Sequence, residues 1–325
     1  MTDPRATLLD WLDLGALPRE RFGAALRVAG VAPGPAAWRK FLETLFLWLG
    51  AASLAASVVF FVAANWQALG RFAKFGMVEI ALVAAIALAV WRELDTLPGK
   101  AALVVAALLA GALLALVGQV YQTGADTFEL FAAWAVAIVA WVLVARLPAL
   151  WMVWIAILNL AAIFYFQLVP GRGLWMLFGP RTGFLASFAL NALALLAWEY
   201  AGARGVAGFA ARWAPRVLAF AAGVGITVLA VLAIVEYRDR AGWHLVIYAL
   251  WLGTLFWAYR VRSVDLFILS GGVLSAIVVV AVGLARTLFD RGGSAAVLLM
   301  AIVVVAGAGL GAYWLRHVAT EEDAR

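Results

Sequence analysis

Ten runs of roughly twenty mostly apolar residues, spread along nearly the whole chain, constrain this sequence more than any other feature. An α-helix rises ~1.5 Å per residue, so a run of that length crosses a hydrocarbon core ~30 Å thick. The runs fall near 42–64, 71–91, 100–121, 128–145, 148–168, 182–199, 215–236, 243–259, 264–285 and 294–315. The fold class expected is therefore all-α: a polytopic integral membrane helix bundle of about ten transmembrane helices, preceded by short cytoplasmic amphipathic helices. The expected organisation is an N-terminal amphipathic region over 1–35, a transmembrane bundle over 36–316 and a cytoplasmic tail over 317–325. Ten helices could form two inverted repeats of five, but no internal similarity supports that.

Composition agrees. Hydrophobic residues make up 67% of the 325 and charged residues 13%, against about 45–50% and about 25% in soluble domains. A soluble enzyme would need far more surface charge. The net charge of +6 and pI near 10 do not indicate nucleic acid, because the basic residues are scattered singly or in pairs and form no stripe. With N- and C-termini inside, sixteen Lys/Arg fall in inner regions and eight in outer ones, as the positive-inside rule requires. The expected location is the bacterial inner (cytoplasmic) membrane, multi-pass, N-in and C-in. The first 40 residues hold no short apolar core, so no cleaved signal peptide is expected.

Asp3-Pro4 and Pro18 each start a short helix that Gly15 and Gly30 end. Both carry too much charge to span and are suited to the membrane surface or to a protein partner. The Pro33-Gly34-Pro35 break precedes the first span, with Trp38, Arg39 and Lys40 as its interfacial anchor.

Two stretches stand out. One is Phe60-Phe61-Val62-Ala63-Ala64-Asn65-Trp66-Gln67, followed by Arg71-Phe72-Ala73-Lys74-Phe75. The other runs from Gly118-Gln119-Val120-Tyr121-Gln122-Thr123-Gly124 through Ala125-Asp126-Thr127-Phe128-Glu129-Leu130-Phe131. Together with the amphipathic start they resemble the bacterial membrane-protein family catalogued as domain of unknown function 2157, mainly over 1–145. The resemblance implies a polytopic bacterial membrane protein and brings no activity with it.

Both stretches end outward-going spans. Asn65 can adopt the left-handed conformation that closes a helix, and Asp126 with Glu129 has capping-box spacing ahead of an apolar run. The sharper reading has Asn65, Gln67, Gln119, Tyr121, Gln122, Asp126 and Glu129 lining a polar outer vestibule. Glu79 lies about eight residues into the second span, about 12 Å along the helix. A carboxylate at such depth costs on the order of 3 kcal/mol, which marks it as a functional candidate. It is expected to face the bundle interior, near Gln119 or Asn159. Asn159 and Asn191 suit interhelical hydrogen bonding, with Asn159 also a candidate binding group. Arg172 and Arg181, in a loop with Gly171, Gly173 and Pro180, read first as part of a solvated loop and second as contacts for lipid headgroups.

Other chemistries find no motif. There is no Cys, only His244 and His317, no zinc signature and no phosphate loop, so no metal, cofactor or catalytic residue is expected. Ser270-Gly271-Gly272 with His244 reads as helix packing rather than a protease. Three functions remain, in order. The first is a transporter or flippase-like protein with a polar outer-face site for a small solute, cation or lipid headgroup. The second is a structural or regulatory scaffold docking a protein partner through the N-terminal helices. The third is a membrane enzyme on lipid-linked substrates. Membrane lipids are expected partners in each case.

Overall fold

Proline and glycine punctuate a chain that is otherwise helical. The computed structural model describes residues 4–168, 181–236, 242–289 and 294–323. Two short helices come first, α1 (Pro4–Asp13) and α2 (Arg19–Val28). After the Pro-Gly-Pro break, Gly34 caps α3 (Pro35–Ala64), with Pro35 in the first turn, where its missing N–H costs nothing. Then come α4 (Arg71–Trp91), α5 (Leu97–Tyr121), α6 (Thr127–Ala145) and α7 (Pro148–Leu168). They are followed by α8 (Thr182–Ala203), α9 (Trp213–Glu236), α10 (Gly242–Trp257), α11 (Leu266–Phe289) and α12 (Ser294–Asp323). Among the described residues, nine of these are long and apolar enough to cross a membrane. The tenth apolar helix, α10, is short, but a π-helical turn over Ala258–Arg262 carries its path onward. The tail expected from residue 317 is helical as far as Asp323.

The chain divides into two compact units, Met1–Ala112 and Leu113–Arg325, and the division falls within α5.

In the N-terminal unit α1 packs on α2 and α3 on α4. One face of α4, formed by Lys74, Val78, Ala85 and Ala89, is buried. The other carries the exposed Ile80, Val83, Val90 and Trp91, as a lipid-facing surface requires.

In the C-terminal unit α9 is the central helix and packs on α8, α10 and α11. Its Ala214, Leu218, Ala222, Ile226 and Ala230, four residues apart, are all fully or almost fully buried. Lipid offers little hydrophobic drive between helices, so close packing must hold them. Gly307 and Gly311 of α12 supply it: a Cβ at Gly311 would lie 2.5 Å from Val273 of α11, and one at Gly307 3.2 Å from Ile277. The α6–α7 hairpin turns through Arg146, which is left-handed at φ 48°. Its carbonyl is approached so closely by Gly208 (φ +93°) that a Cβ there would be only 2.6 Å away. Trp154 of α7 donates its indole N–H to the Ala135 carbonyl of α6 at 2.9 Å.

Candidate functional site

Apart from Arg172, the polar residues singled out in the sequence have definite places. Asn65 ends α3, but at φ −102° rather than in the left-handed conformation expected of it. Its amide donates to the Phe61 carbonyl at 2.9 Å, so the side chain closes the helix that the backbone was expected to close. Gln67 is exposed in the turn after it. That turn is held by a pair which sequence reasoning overlooked: the Lys74 ammonium lies 3.7 Å from the centre of the Trp66 ring. Lys74 is 8% exposed, so its charge leaves water for the negative face of the indole.

Glu79 departs from expectation. It is exposed on α4, beside the lipid-facing Ile80, and among the described residues its carboxylate has no hydrogen bond or ion pair. It follows directly on the buried Val78, and one helical step of ~100° carries it off the packed face. Within the N-terminal unit Glu79 meets no polar partner among the described residues, and Gln119 and Asn159 belong to the C-terminal unit.

Gln119, Tyr121, Gln122, Asp126 and Glu129 are all exposed around the α5–α6 connection. Gln122 is left-handed at φ 45° and Gly124 at φ 70°, which turns the chain. Asp126 and Glu129 form the capping box of α6, with the Glu129 carboxylate accepting the Asp126 backbone N–H at 3.0 Å. Helix ends leave four N–H groups without intrahelical partners, and this pair satisfies one at each of its members. Asn159 of α7 joins Asn191 and Ser187 of α8: its Oδ1 accepts from Asn191 Nδ2 at 2.8 Å and from Ser187 Oγ at 2.7 Å. Of the outer-loop cations, Arg181 donates to the Leu232 carbonyl at 3.2 Å. Arg172, Gly171, Gly173 and Pro180 lie outside the described residues.

The densest polar arrangement is at the opposite end of the C-terminal unit, among residues the sequence did not mark. Asp265 caps α11 and accepts the backbone N–H groups of Phe267 and Ile268 at 3.1 and 3.3 Å. Its side chain is 2% exposed. Arg216 of α9 holds both its oxygens through Nε, at 3.2 and 2.9 Å, and Arg212 approaches at 3.6 Å. Arg212 also grips Glu199 at the end of α8, with both carboxylate oxygens 3.0 Å from one guanidinium nitrogen. The Tyr259 hydroxyl, from the π-helical turn, donates to Glu199 at 2.8 Å. Arg260 pairs with Glu321 of α12. A carboxylate taken out of water needs donors at both oxygens, and Asp265 has a guanidinium and a helix N-terminus. The closeness of Arg212 and Arg216 is a usable signal: one stands just ahead of α9 and the other in its first turn, so both charges gather at that helix start. Their acids, one in the last turns of α8 and one just before α11, have no such signature.

Among the described residues nothing resembles a catalytic constellation, and no cluster of three or more His, Asp or Glu side chains could hold a metal ion. The geometry is that of a bundle whose polar groups cap and join helices.

Long apolar helices connected by short turns define a multi-pass α-helical membrane protein. A family model described as Predicted membrane protein (DUF2157) matches residues 9–151, so the resemblance read from the sequence holds over that stretch. Neither a curated protein nor a solved structure matches the chain.

Proposed function

We propose that this protein is a structural or regulatory scaffold of the bacterial inner membrane, with both termini cytoplasmic, that docks a protein partner through α1 and α2. The observation that carries this reading is the use made of the polar side chains. Asp126 and Glu129 cap a helix, Asn159 and Asn191 join two helices, and Glu79 points away from the packed face of its own. The transporter reading rests mainly on an inward Glu79, and the exposure of Glu79 within its own unit, with no polar partner among the described residues, favours the scaffold instead.

The α1–α2 pair supports docking. It exposes Leu9, Trp11 and Leu14 beside Asp10 and Asp13, a mixed surface suited to a protein contact. Charge supports the orientation. Arg146, Arg204, Arg212, Arg216, Arg260, Arg262 and Arg316 lie toward one end of the C-terminal unit, against Arg181 and Arg286 at the other among the described residues.

The test has two arms. The full chain in vesicles loaded with a pH-sensitive dye should pass protons and monovalent cations no faster than empty vesicles, and Glu79→Gln should change nothing. A photo-reactive residue at Trp11 in cells should give one discrete protein adduct, and one at the lipid-facing Ile80 none. A flux that Glu79→Gln abolishes would overturn the scaffold and restore the transporter.

A further inference from the structure

The C-terminal unit carries a groove on its side, of about 480 Å³, between α9, α10 and α11. That volume is within the range of small-ligand sites, ~300–1,000 Å³. Its walls are apolar, formed by Phe220, Gly223, Trp251, Leu255, Gly271 and Leu274 among others. The hydroxyls that reach it are already occupied: Thr227 and Ser275 are 2.6 Å apart, and Ser275 and Tyr248 3.0 Å. The groove is thus shaped for hydrocarbon and offers a polar solute few unmet groups.

Its length is informative. The lining runs from Arg216 to Val228 on α9, about 18 Å at ~1.5 Å per residue. Half of a ~30 Å hydrocarbon core is ~15 Å. The groove therefore reaches from the headgroup layer to about the bilayer midplane, the path of one acyl chain.

Its mouth is charged. Arg216 lines the groove, and only its Nε is bonded to Asp265. A guanidinium has five N–H donors, so the four on its two terminal nitrogens remain for an acceptor beyond the protein. The buried carboxylate fixes the fork in place, and planar forks match phosphate oxygens.

Two glycines shape the walls. A Cβ at Gly223 or Gly271 would meet no atom within 4 Å, unlike the packing glycine Gly311. These positions are open because the groove is there, and no neighbouring helix requires them to be small.

We propose that this groove holds one acyl chain of an anionic phospholipid, with its phosphate against the Arg216 guanidinium. The occupant comes from the leaflet at the Arg216 end and enters sideways from the bilayer. Basic pockets between transmembrane helices take anionic headgroups on the same electrostatic grounds.

The experiment uses the full-length protein, stripped of lipid in detergent and titrated with dioleoylphosphatidylglycerol or dioleoylphosphatidylcholine, with bound lipid read by native mass spectrometry. Wild type should retain one phosphatidylglycerol at least tenfold more tightly than phosphatidylcholine. Glycerol phosphate, which has the anion and no chain, should not compete at millimolar concentration. Gly223→Leu fills the groove without touching the ion network and should abolish retention of both lipids. Arg216→Gln should bring phosphatidylglycerol down to the phosphatidylcholine level. Gly253→Leu, on α10 outside the groove and also clear of neighbours, should bind as wild type. No preference in wild type would overturn the proposal. So would unchanged retention in a Gly223→Leu protein that melts like wild type. Should Arg216→Gln fail to fold, the wild-type titration and Gly223→Leu still decide.

Discussion

The two units keep a charge out of water by opposite means. In the N-terminal unit Lys74 is buried against the face of Trp66 and has no carboxylate partner among the described residues. In the C-terminal unit Asp265 is buried between two arginines and a helix N-terminus. The difference follows from the sign of the charge. An aromatic face is negative, so it can receive a cation and repels an anion. A buried carboxylate must be met by N–H groups, and these come only from basic side chains or helix starts. Burying an acid therefore requires several elements to converge, while burying a lysine requires one turn.

The comparison breaks first at Asp265. Asp265→Ala should destabilise the protein by about 3 kcal/mol, the low end for breaking a buried ion pair, because the arginines keep contact with solvent. Thermal unfolding in detergent measures this, and a loss no larger than that of a surface substitution would show that the network is ornamental. The local solution should cost less. Trp66→Leu should cost up to about 2 kcal/mol, the value of a desolvated cation–π contact. A double-mutant cycle with Lys74→Met isolates the pair, and additive effects would mean that ring and ammonium do not interact. Smallest is the exposed cap, where Asp126→Ala should cost about 1 kcal/mol and Asp126→Asn less, since the amide keeps an acceptor. If the two substitutions were equal, the carboxylate would be acting through its charge on the helix dipole.

Much of the fold was legible because span length and breaker residues are local signals. Pro148 opens α7 at the residue expected, whereas α3 starts at Pro35, ahead of the run expected from 42, and Asp126 and Glu129 announced the start of α6 three residues apart. The facing of Glu79 was not legible. A helix in lipid is apolar on its packed and exposed faces alike, so Val78 and Ile80 are chemically equivalent although one is buried and the other exposed. The Asp265 network was hidden for a different reason. Its members come from α8, α9, the π-helical turn and the start of α11, and Glu199 and Asp265 are 66 residues apart. In the sequence each was one more interfacial charge beside a span. The groove was likewise invisible, since Gly223 and Gly311 look the same in a string of letters while one faces space and the other Val273.

The π-helical turn at Ala258–Arg262 makes the length of that segment a fixed quantity. Its bonds run five residues apart, as from the Ser263 N–H to the Ala258 carbonyl at 3.1 Å, so it holds one residue more than an α-turn would. Such a turn is equivalent to a single-residue insertion that the helix has absorbed. Deleting Ala258 would let an α-turn form and keep α10 and the start of α11 in register, but it would shift the residues inside the turn by about one helical step against α10. Tyr259 and Arg260 could then no longer meet Glu199 and Glu321 from the same register. A deletion here should therefore cost the Tyr259 and Arg260 contacts while leaving the path of the helix intact.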